Sequence, residues 1–279
     1  MDVVNVTKYS GELEAFDVNK LIGSLRRSQA DETLVQDIAQ EIQGKIEEAM
    51  TTKKIYQMAF RMLKDRKRTS ASRYKLKKAL MELGPTGFPF EKLVGKLLAH
   101  EGFDTKVGVI VQGNCVRHEI DVIAQKDKKH LMIECKYHSD QGRFCNVKIP
   151  LYIQSRFLDV EKQWEKQTRH QNISHQGGVY TNTRFTTDAI QYGTCVGLML
   201  TSWDFPKGNG LKERIDKSGL HPITSLTTLT KAEKSKLLDK GIVLCQEINE
   251  TPSLLQQMGI TIQRQKNILK DSEELCRTH

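Results

Sequence analysis

Three side chains with the chemistry to hydrolyse a phosphodiester occur in two neighbouring apolar segments. Asp121 interrupts the segment EIDVIA, and Glu134 and Lys136 interrupt the segment LMIECKY. Residues i and i+2 of a strand face the same side, so Glu134 and Lys136 project together. If the strands pair through a turn formed by the six residues 125–130, Asp121 joins them from the adjacent strand. The spacing therefore predicts two carboxylates and one amine at one point.

That combination suits metal-assisted chemistry on phosphate. Asp121 and Glu134 offer the oxygen ligands that Mg²⁺ prefers, and the ion would polarise the phosphoryl group. Lys136 would orient the attacking water or neutralise developing charge. The alternative is an ordinary hairpin with solvated charges on one face. Isolated charges within strongly apolar strands are costly, however, and this cost favours a site.

The residues around this pair resemble the PD-(D/E)xK restriction-endonuclease-like superfamily, in particular its Mrr-like branch. GFPFEKLVGKLL at 87–98 is similar to the first helix of that family, and GVYTNTRFTTDA at 178–189 to the strand, turn and helix beyond the site. The resemblance implies that Glu91, on the first helix, faces the metal site. It also implies that a helix after the hairpin presents a polar residue to the site, for which Gln154 is the candidate.

The first 84 residues resemble the ATP-cone, a small regulatory nucleotide-binding domain. The likeness is carried by VTKYSG at 6–11, EAFDVNKL at 14–21, the pair Thr51-Thr52 and SRY at 72–74. It implies that ATP or dATP binds, with phosphates on Lys8 and Lys20 and the base between Phe16 and Leu21. The implied pocket residues are Val6, Lys8, Glu14, Phe16, Lys20 and Leu21. An ordinary αβ domain with scattered lysines is the alternative.

The alternation of strands and helices predicts an α/β, or α+β multidomain, protein with three parts. We expect an ATP-cone-like αβ domain at 1–84, a restriction-endonuclease-like α/β sandwich with a mixed central sheet at 86–203, and a small helical tail at 204–279. GPTG at 84–87 marks the first boundary. In the tail, LLQQMGI resembles a helix-hairpin-helix turn in which the amides of Gly259 and Ile260 would hold a DNA phosphate. A purely structural helical cap is the alternative.

Composition limits the classes of protein. The net charge of +9 favours polyanionic partners. Nine Lys or Arg fall within residues 61–78, and they form either a solvated helix face or a phosphate-binding face. None of the six cysteines forms a C-x-x-C pair, which argues against a zinc site and suits a reducing cytoplasm. There is no apolar run of the ~18 residues that a membrane span needs. The N-terminus lacks the pattern of a signal peptide.

We therefore predict a metal-dependent endodeoxyribonuclease that cuts double-stranded DNA, is regulated by ATP or dATP, and acts in the cytoplasm as a homo-oligomer. Asp121, Glu134 and the Cys135 carbonyl would hold Mg²⁺ or Mn²⁺. Glu91 would bind a second metal ion or hold a water molecule. Three alternatives stay open: a non-catalytic DNA-binding protein on a nuclease fold, a nucleotide-sensing regulator, and a junction resolvase or RNase. The missing C-x-x-C pairs argue against a regulator of the zinc-ribbon type.

Overall fold

The computed structural model describes the chain except for residues 1–3, 9, 141, 168–171 and 279. Parts of a strand predicted at 3–7 and of a helix predicted at 147–170, together with Tyr9, lie outside the described residues. The architecture mixes helices with mixed sheets, as the α+β prediction requires. In the described part of the chain, no helix is long and apolar enough to cross a membrane.

The first unit combines a three-stranded sheet with five helices in the described residues. Its elements are β1 (Asn5–Thr7), β2 (Leu13–Ala15), α1 (Val18–Arg26), α2 (Glu32–Gln43), β3 (Met50–Thr51), α3 (Thr52–Arg66), α4 (Arg68–Tyr74) and α5 (Leu76–Met81). β1 pairs antiparallel with β2 and parallel with β3. Asp17, a residue type favoured at helix N-caps, caps α1, since its Oδ1 accepts from the Asn19 amide at 2.9 Å.

One helix of this unit is shorter than predicted. Leu34, Ile38, Ile42 and Ile46 recur every four residues, and this period predicts a helix over 31–49. The helix ends at Gln43, where Gly44 forms the cap. Ala49 then adopts a φ of 60°, which turns the chain into the short strand β3. The sequence did not predict β3, because two residues are too few to show a strand period.

The central unit is built on a five-stranded mixed sheet. Its elements are α6 (Phe88–His100), β4 (Asp104–Gln112), β5 (Arg117–Lys126), β6 (Lys129–Lys136), β7 (Phe144–Cys145), α7 (Lys148–Glu165), β8 (Ser174–Thr181), β9 (Arg184–Phe185), α8 (Thr187–Cys195) and β10 (Met199–Thr201). The strand order is β10-β8-β6-β5-β4. The β4, β5 and β6 strands are antiparallel, whereas β8 and β10 run parallel to β6. The mixed sheet is confirmed.

The β5–β6 hairpin is tighter than predicted. Lys126 pairs with Lys129, so the turn consists of Asp127 and Lys128 rather than six residues. Asp127 takes a φ of 50°, a conformation that Asp tolerates in tight turns. The predicted longer turn was wrong because the polar residues at both strand ends, which resemble a loop, still pair across the hairpin.

Helices cover both faces of this sheet. Leu131, Ile133 and Cys135 of β6 pack in one core cluster with residues of α6. On the other face, Met132 packs with residues of α7. Because β6 is buried on both faces, it is almost continuously apolar, and the charge of Glu134 is exceptional there.

The last part of the chain is helical. It comprises α9 (Leu211–Ser218), a 3₁₀ turn (Ile223–Ser225), α10 (Lys231–Asp239), α11 (Cys245–Glu250), α12 (Ser253–Gln257) and α13 (Ile262–Cys276). From the 3₁₀ turn to α13 these elements share a core of their own. Helix α9, in contrast, packs Leu211 and Ile215 into the same cluster as Leu76 and Leu80 of α5. The core of the central unit therefore includes side chains from both of its neighbours.

The amides predicted to hold a DNA phosphate in this tail are already bonded. The Gly259 amide donates to the Gln256 carbonyl at 2.9 Å, and the Ile260 amide donates to the Leu255 carbonyl at 3.2 Å. Gly259, with a φ of 73°, ends α12 in a turn that satisfies its own backbone. The alternative of a structural cap fits this turn, and the predicted phosphate contact at these two amides does not.

Candidate active site

Asp121 lies where the pairing of β5 with its neighbours is interrupted. The β4–β5 ladder skips the positions of Gly108 and Asp121, and Gly108 has a φ of 65°. On the other side, the β5–β6 ladder ends at Val122 and Ile133. The Asp121 Oδ2 takes the place of the next backbone acceptor, because it accepts from the Cys135 amide at 2.7 Å. This local bulge brings the carboxylate onto β6.

Sequence reasoning missed Gly108, although one signal was present. A glycine inside a strand weakens it and commonly marks a bulge. The consequence shows in the core, where Ile120 and Val122 lie in different hydrophobic clusters although strand alternation would put them on one face. The backbone therefore changes face at Asp121.

Glu134 is almost completely buried, with 5% of its surface exposed. Its Oε1 pairs with Lys136 Nζ, as the i, i+2 spacing predicts. Its Oε2 accepts from a guanidinium nitrogen of Arg156 at 2.6 Å, and Arg156 also donates to the main-chain oxygen of Glu119. Two cations thus compensate the buried carboxylate.

Arg156, rather than the predicted Gln154, is the residue of α7 that contacts Glu134. Within the described residues, the Gln154 Oε1 is buried without a hydrogen-bond partner. The sequence places both residues on α7, two positions apart, and only the packing of α7 against the sheet selects one. The signal available in the sequence was Arg156 itself, because a buried Glu requires a nearby cation.

The carboxylates of the site repel one another in a poorly solvated setting. Burial, followed by the charge of Glu134, raises the pKa of Asp121 to about 6. Burial, followed by the charges of Asp121, Glu119 and Glu134, raises the pKa of Glu91 to about 7. Glu91 lies in the first turn of α6, as the resemblance implied, and within electrostatic reach of Asp121. A divalent cation is the partner that such excess negative charge lacks.

The donor set fits a hard cation. Burial raises the pKa of the Cys135 thiol well above its usual value, so the carbonyl, and not a thiolate, is the ligand that Cys135 offers. In the described part of the chain, no three His, Cys, Asp or Glu side chains form a complete metal site on their own. Mg²⁺ does not require one, since it commonly takes one or two carboxylates and completes its shell with water and substrate oxygens.

Three of the predicted nucleotide-binding residues converge on the surface of the first unit. Lys8 Nζ lies 2.5 Å from Glu14 Oε2, and Lys20 pairs with the other oxygen of the same carboxylate. These contacts lower the pKa of Glu14 to about 2, chiefly through the hydrogen bond from Lys20. The lysines that would hold phosphate are therefore adjacent, and they share one acidic partner.

The other three predicted nucleotide-binding residues pack in the hydrophobic core of the same unit. Val6 pairs with Glu14 across β1 and β2 and is 5% exposed. Leu21 is buried in the core of the unit, and Phe16 packs partly buried against the same core. These three residues thus belong to the hydrophobic core, whereas Lys8, Glu14 and Lys20 pair outside it.

The basic segment 61–78 does not form one uniform face. Arg61, Lys64 and Lys67 are exposed. Arg73, in contrast, donates to the main-chain oxygens of Leu275 and Arg277, and Lys75 donates to that of Thr224. Part of the positive charge therefore holds the first unit against the tail, and only the rest faces solvent.

Two known proteins similar to this chain are described without an activity. Residues 221–276 match the family described as "AF1548-like, C-terminal". An uncharacterized protein of Archaeoglobus fulgidus is 34% identical over 183 residues, which are 65% of this chain and 99% of that protein. A crystal structure titled as the protein of unknown function AF1548 is 33% identical with a TM-score of 0.55, and covers 68% of this chain and 98% of its own. Each of these two matches leaves about a third of this chain uncovered.

Proposed function

The chain belongs to the AF1548-like family, and for this member we propose a metal-dependent endodeoxyribonuclease activity regulated by ATP or dATP. The observation that carries the proposal is the meeting of Asp121, Glu134 and Lys136 at a bulge of the central sheet, with the pKa of Asp121 raised to about 6. Perturbed carboxylates beside a lysine are typical of sites that bind a cation and act on phosphate.

The side chains would divide the work as follows. Asp121, Glu134 and the Cys135 carbonyl would hold Mg²⁺ or Mn²⁺, with Glu91 close enough to bind a second ion or a water. When bound, the ion supplies positive charge that polarises the phosphoryl oxygen. Lys136 would donate to the attacking water and orient it, because its ammonium group already lies beside Glu134. Arg156 would hold the carboxylate of Glu134 in place through its hydrogen bond.

The order of elements supports the finer assignment. The succession α6-β4-β5-β6-α7-β8 has a first helix, a hairpin, a second helix and a strand in the order that the resemblance to the Mrr-like branch implies. Double-stranded DNA as substrate, a homo-oligomeric assembly and a reducing compartment such as the cytoplasm belong to the same proposal. The described cysteines are all thiols, which suits that compartment.

Cleavage assays test the catalytic part. The full chain would be incubated with supercoiled, linear and single-stranded DNA in Mg²⁺, Mn²⁺ or excess chelator. We expect cleavage that requires the metal and falls at least about 100-fold in Asp121→Ala and Lys136→Ala. Asp104→Ala and Lys129→Ala are matched controls, because both residues are exposed and lie on β4 and β6, the two strands that flank β5. Undiminished cleavage by Asp121→Ala, or no cleavage under any condition, would reject the proposal.

A non-catalytic DNA-binding protein is the second candidate, and one observation favours it. Both carboxylate oxygens of Glu134 are engaged, one by Lys136 and one by Arg156, so a cation would have to displace or share these contacts. A pure binder would retain its DNA affinity in Asp121→Ala and would cut nothing. Band-shift and cleavage measurements on the same samples separate the two functions.

The regulatory part has its own test. Lys8→Ala and Lys20→Ala should remove the effect of ATP or dATP on cleavage and should weaken nucleotide binding, without a change in the basal rate. Lys64→Ala is the matched control, since Lys64 is exposed on α3 and forms no ion pair within the described residues. If nucleotide neither binds nor changes the rate of the unaltered protein, regulation by ATP or dATP is excluded.

A further inference from the structure

A cavity of about 330 Å³ lies where the first unit, the central unit and the helical tail meet. Arg27 lies at the C-terminal cap of α1, Lys77 on helix α5, Arg184 on strand β9 and Lys212 on helix α9. With Arg73 of α4, five cationic side chains line the cavity. Its volume is within the range of pockets that hold small ligands.

The positive charge of this cavity is only partly neutralised. Arg184 Nε lies 2.8 Å from Asp204 Oδ2, and Lys212 Nζ lies 2.7 Å from Glu213 Oε1. Within the described part of the chain, Arg27, Arg73 and Lys77 form no ion pair shorter than 4 Å. The remaining carboxylate of the wall is Asp216, whose pKa is raised by burial to about 6. Three cations without an ion pair thus share a single further carboxylate.

Two further groups of the wall lack the partner that their chemistry requires. Lys77 lies over the ring of Trp203 at 5.9 Å, and burial together with the charge of Arg184 lowers its pKa. The hydroxyl of Tyr56 is buried and has no hydrogen-bond partner among the described residues. Burial of an unsatisfied hydroxyl or an unpaired ammonium costs free energy, and an anionic acceptor would offset both costs.

We propose that this cavity is a binding site for a phosphate group, separate from the residues around Lys8 and Lys20, that holds the three parts of the chain together. A phosphate offers several strong acceptor oxygens, which match the donors of Lys77, Arg27 and Arg184. The group would be orthophosphate, diphosphate or the phosphate end of a mononucleotide. Because its donors come from all three parts, a bound ligand stabilises their docked arrangement by mass action.

Calorimetric titration of the full chain with orthophosphate, pyrophosphate and AMP, without metal and in chloride buffer, tests this proposal. We expect at least one of these ligands to bind, and Lys77→Ala to weaken it roughly tenfold or more, as the loss of a charge-assisted hydrogen bond implies. Lys217→Ala is the matched control, because this exposed lysine lies on α9 outside the cavity wall. The affinity of this variant for the phosphate ligands should be unchanged. Arg27→Ala replaces Lys77→Ala if that variant does not fold.

Tyr56→Phe gives an independent readout. The ligand-free variant should unfold at the same temperature as the unaltered protein or higher, since the hydroxyl bonds nothing there, yet it should bind phosphate several-fold more weakly. Tighter binding of AMP than of orthophosphate identifies a nucleotide as the source of the phosphate, and equal binding identifies the free ion. Absence of heat with all three ligands, or full affinity in Lys77→Ala, overturns the proposal.

The proposal of a phosphate site and the proposed nuclease function can be rejected independently of each other. Lys8→Ala and Lys20→Ala should retain the phosphate binding that Lys77→Ala loses. A protein that never cleaves DNA could still bind phosphate here, because no residue of the cavity wall belongs to the Asp121 site.

Discussion

The hydroxyl of Tyr137 donates to the main-chain oxygen of Met81 at 2.6 Å, and this bond joins the strand of the candidate active site to the last helix of the first unit. Tyr137 directly follows Lys136, and its ring lies 6.1 Å from that of Phe90 on α6. Asn182 adds a second contact, from its side-chain nitrogen to the Met81 sulfur at 3.1 Å. A displacement of α5 would therefore act directly on the end of β6.

We predict that Tyr137→Phe separates regulation from cleavage. The change removes one hydrogen bond, worth about 1 kcal/mol, and leaves the ring in place. The basal cleavage rate should be retained, and the change in rate caused by ATP or dATP should decrease. Tyr192→Phe, on α8, serves as the control. An unaltered nucleotide response in Tyr137→Phe would show that the signal does not pass through this bond.

Asp121→Asn should abolish cleavage and stabilise the metal-free protein at high pH. The pKa of Asp121 is raised to about 6 in the folded chain, from an ordinary 3.8. A raised carboxyl pKa means that the folded state binds the proton more tightly, so stability decreases as pH rises from about 4 to about 6. Asn cannot ionise, and its oxygen can still accept from the Cys135 amide.

Thermal unfolding without metal checks this at several pH values. Asp121→Asn and the unaltered protein should differ little at pH 4, and the variant should be more stable at pH 8. Mg²⁺ should raise the unfolding temperature of the unaltered protein at pH 8 and have a smaller effect on the variant. A variant that is less stable at pH 8 would argue against charge repulsion at the site.

Glu91→Gln should alter cleavage in a pH-dependent way. The pKa of Glu91 is raised to about 7, so its carboxyl is largely protonated at pH 6 and ionised at pH 8. The amide resembles the protonated form. Rates of the variant and the unaltered protein should therefore converge at pH 6 and diverge at pH 8, where only the unaltered protein has the charge. A constant ratio across this range would show that ionisation of Glu91 plays no part.

Arg214→Ala should loosen the tail from the central unit. Arg214 is 8% exposed, and its guanidinium donates to Glu101, the residue that follows α6, at 2.6 Å and to the hydroxyl of Tyr180 of β8 at 2.5 Å. Loss of one partner from a buried pair costs 3–5 kcal/mol, and we expect about 2 kcal/mol here because Glu101 is partly exposed. Denaturant unfolding measures it. Arg26→Ala, which breaks an exposed pair with Glu32, should cost less than about 1 kcal/mol.

The pairing of Glu134 with Lys136 could be predicted because it follows from the two-residue period of a strand, and their approach to Asp121 because the two strands are adjacent in sequence. Arg156 could not be, since its contact with Glu134 depends on how α7 packs across the sheet. The bulge at Gly108 was equally hidden, because a single glycine does not say which neighbouring residue is displaced.

The packing of α5 and α9 into the central core also escaped sequence analysis. An amphipathic pattern identifies the apolar face of Leu76 and Leu80, or of Leu211 and Ile215, but not the partner that this face covers. The predicted boundaries at 84–86 and 203–204 remain predictions. The sharing of one core across both means that the central unit, cut at those points, would expose apolar surface.

The two-residue turn at Asp127 and Lys128 has a consequence for the order of folding. A hairpin with so short a connection loses little entropy on closure, and hairpins form in roughly 1–10 μs. Asp121 and Glu134 are brought together by this local event, whereas Glu91 and Arg156 come from helices on either side and join through contacts more distant in sequence. Lys136 arrives with this hairpin but Arg156 does not, so the two carboxylates meet with one compensating cation instead of two. We expect dissolved metal ions to supply the missing positive charge and so to accelerate the folding of the central unit.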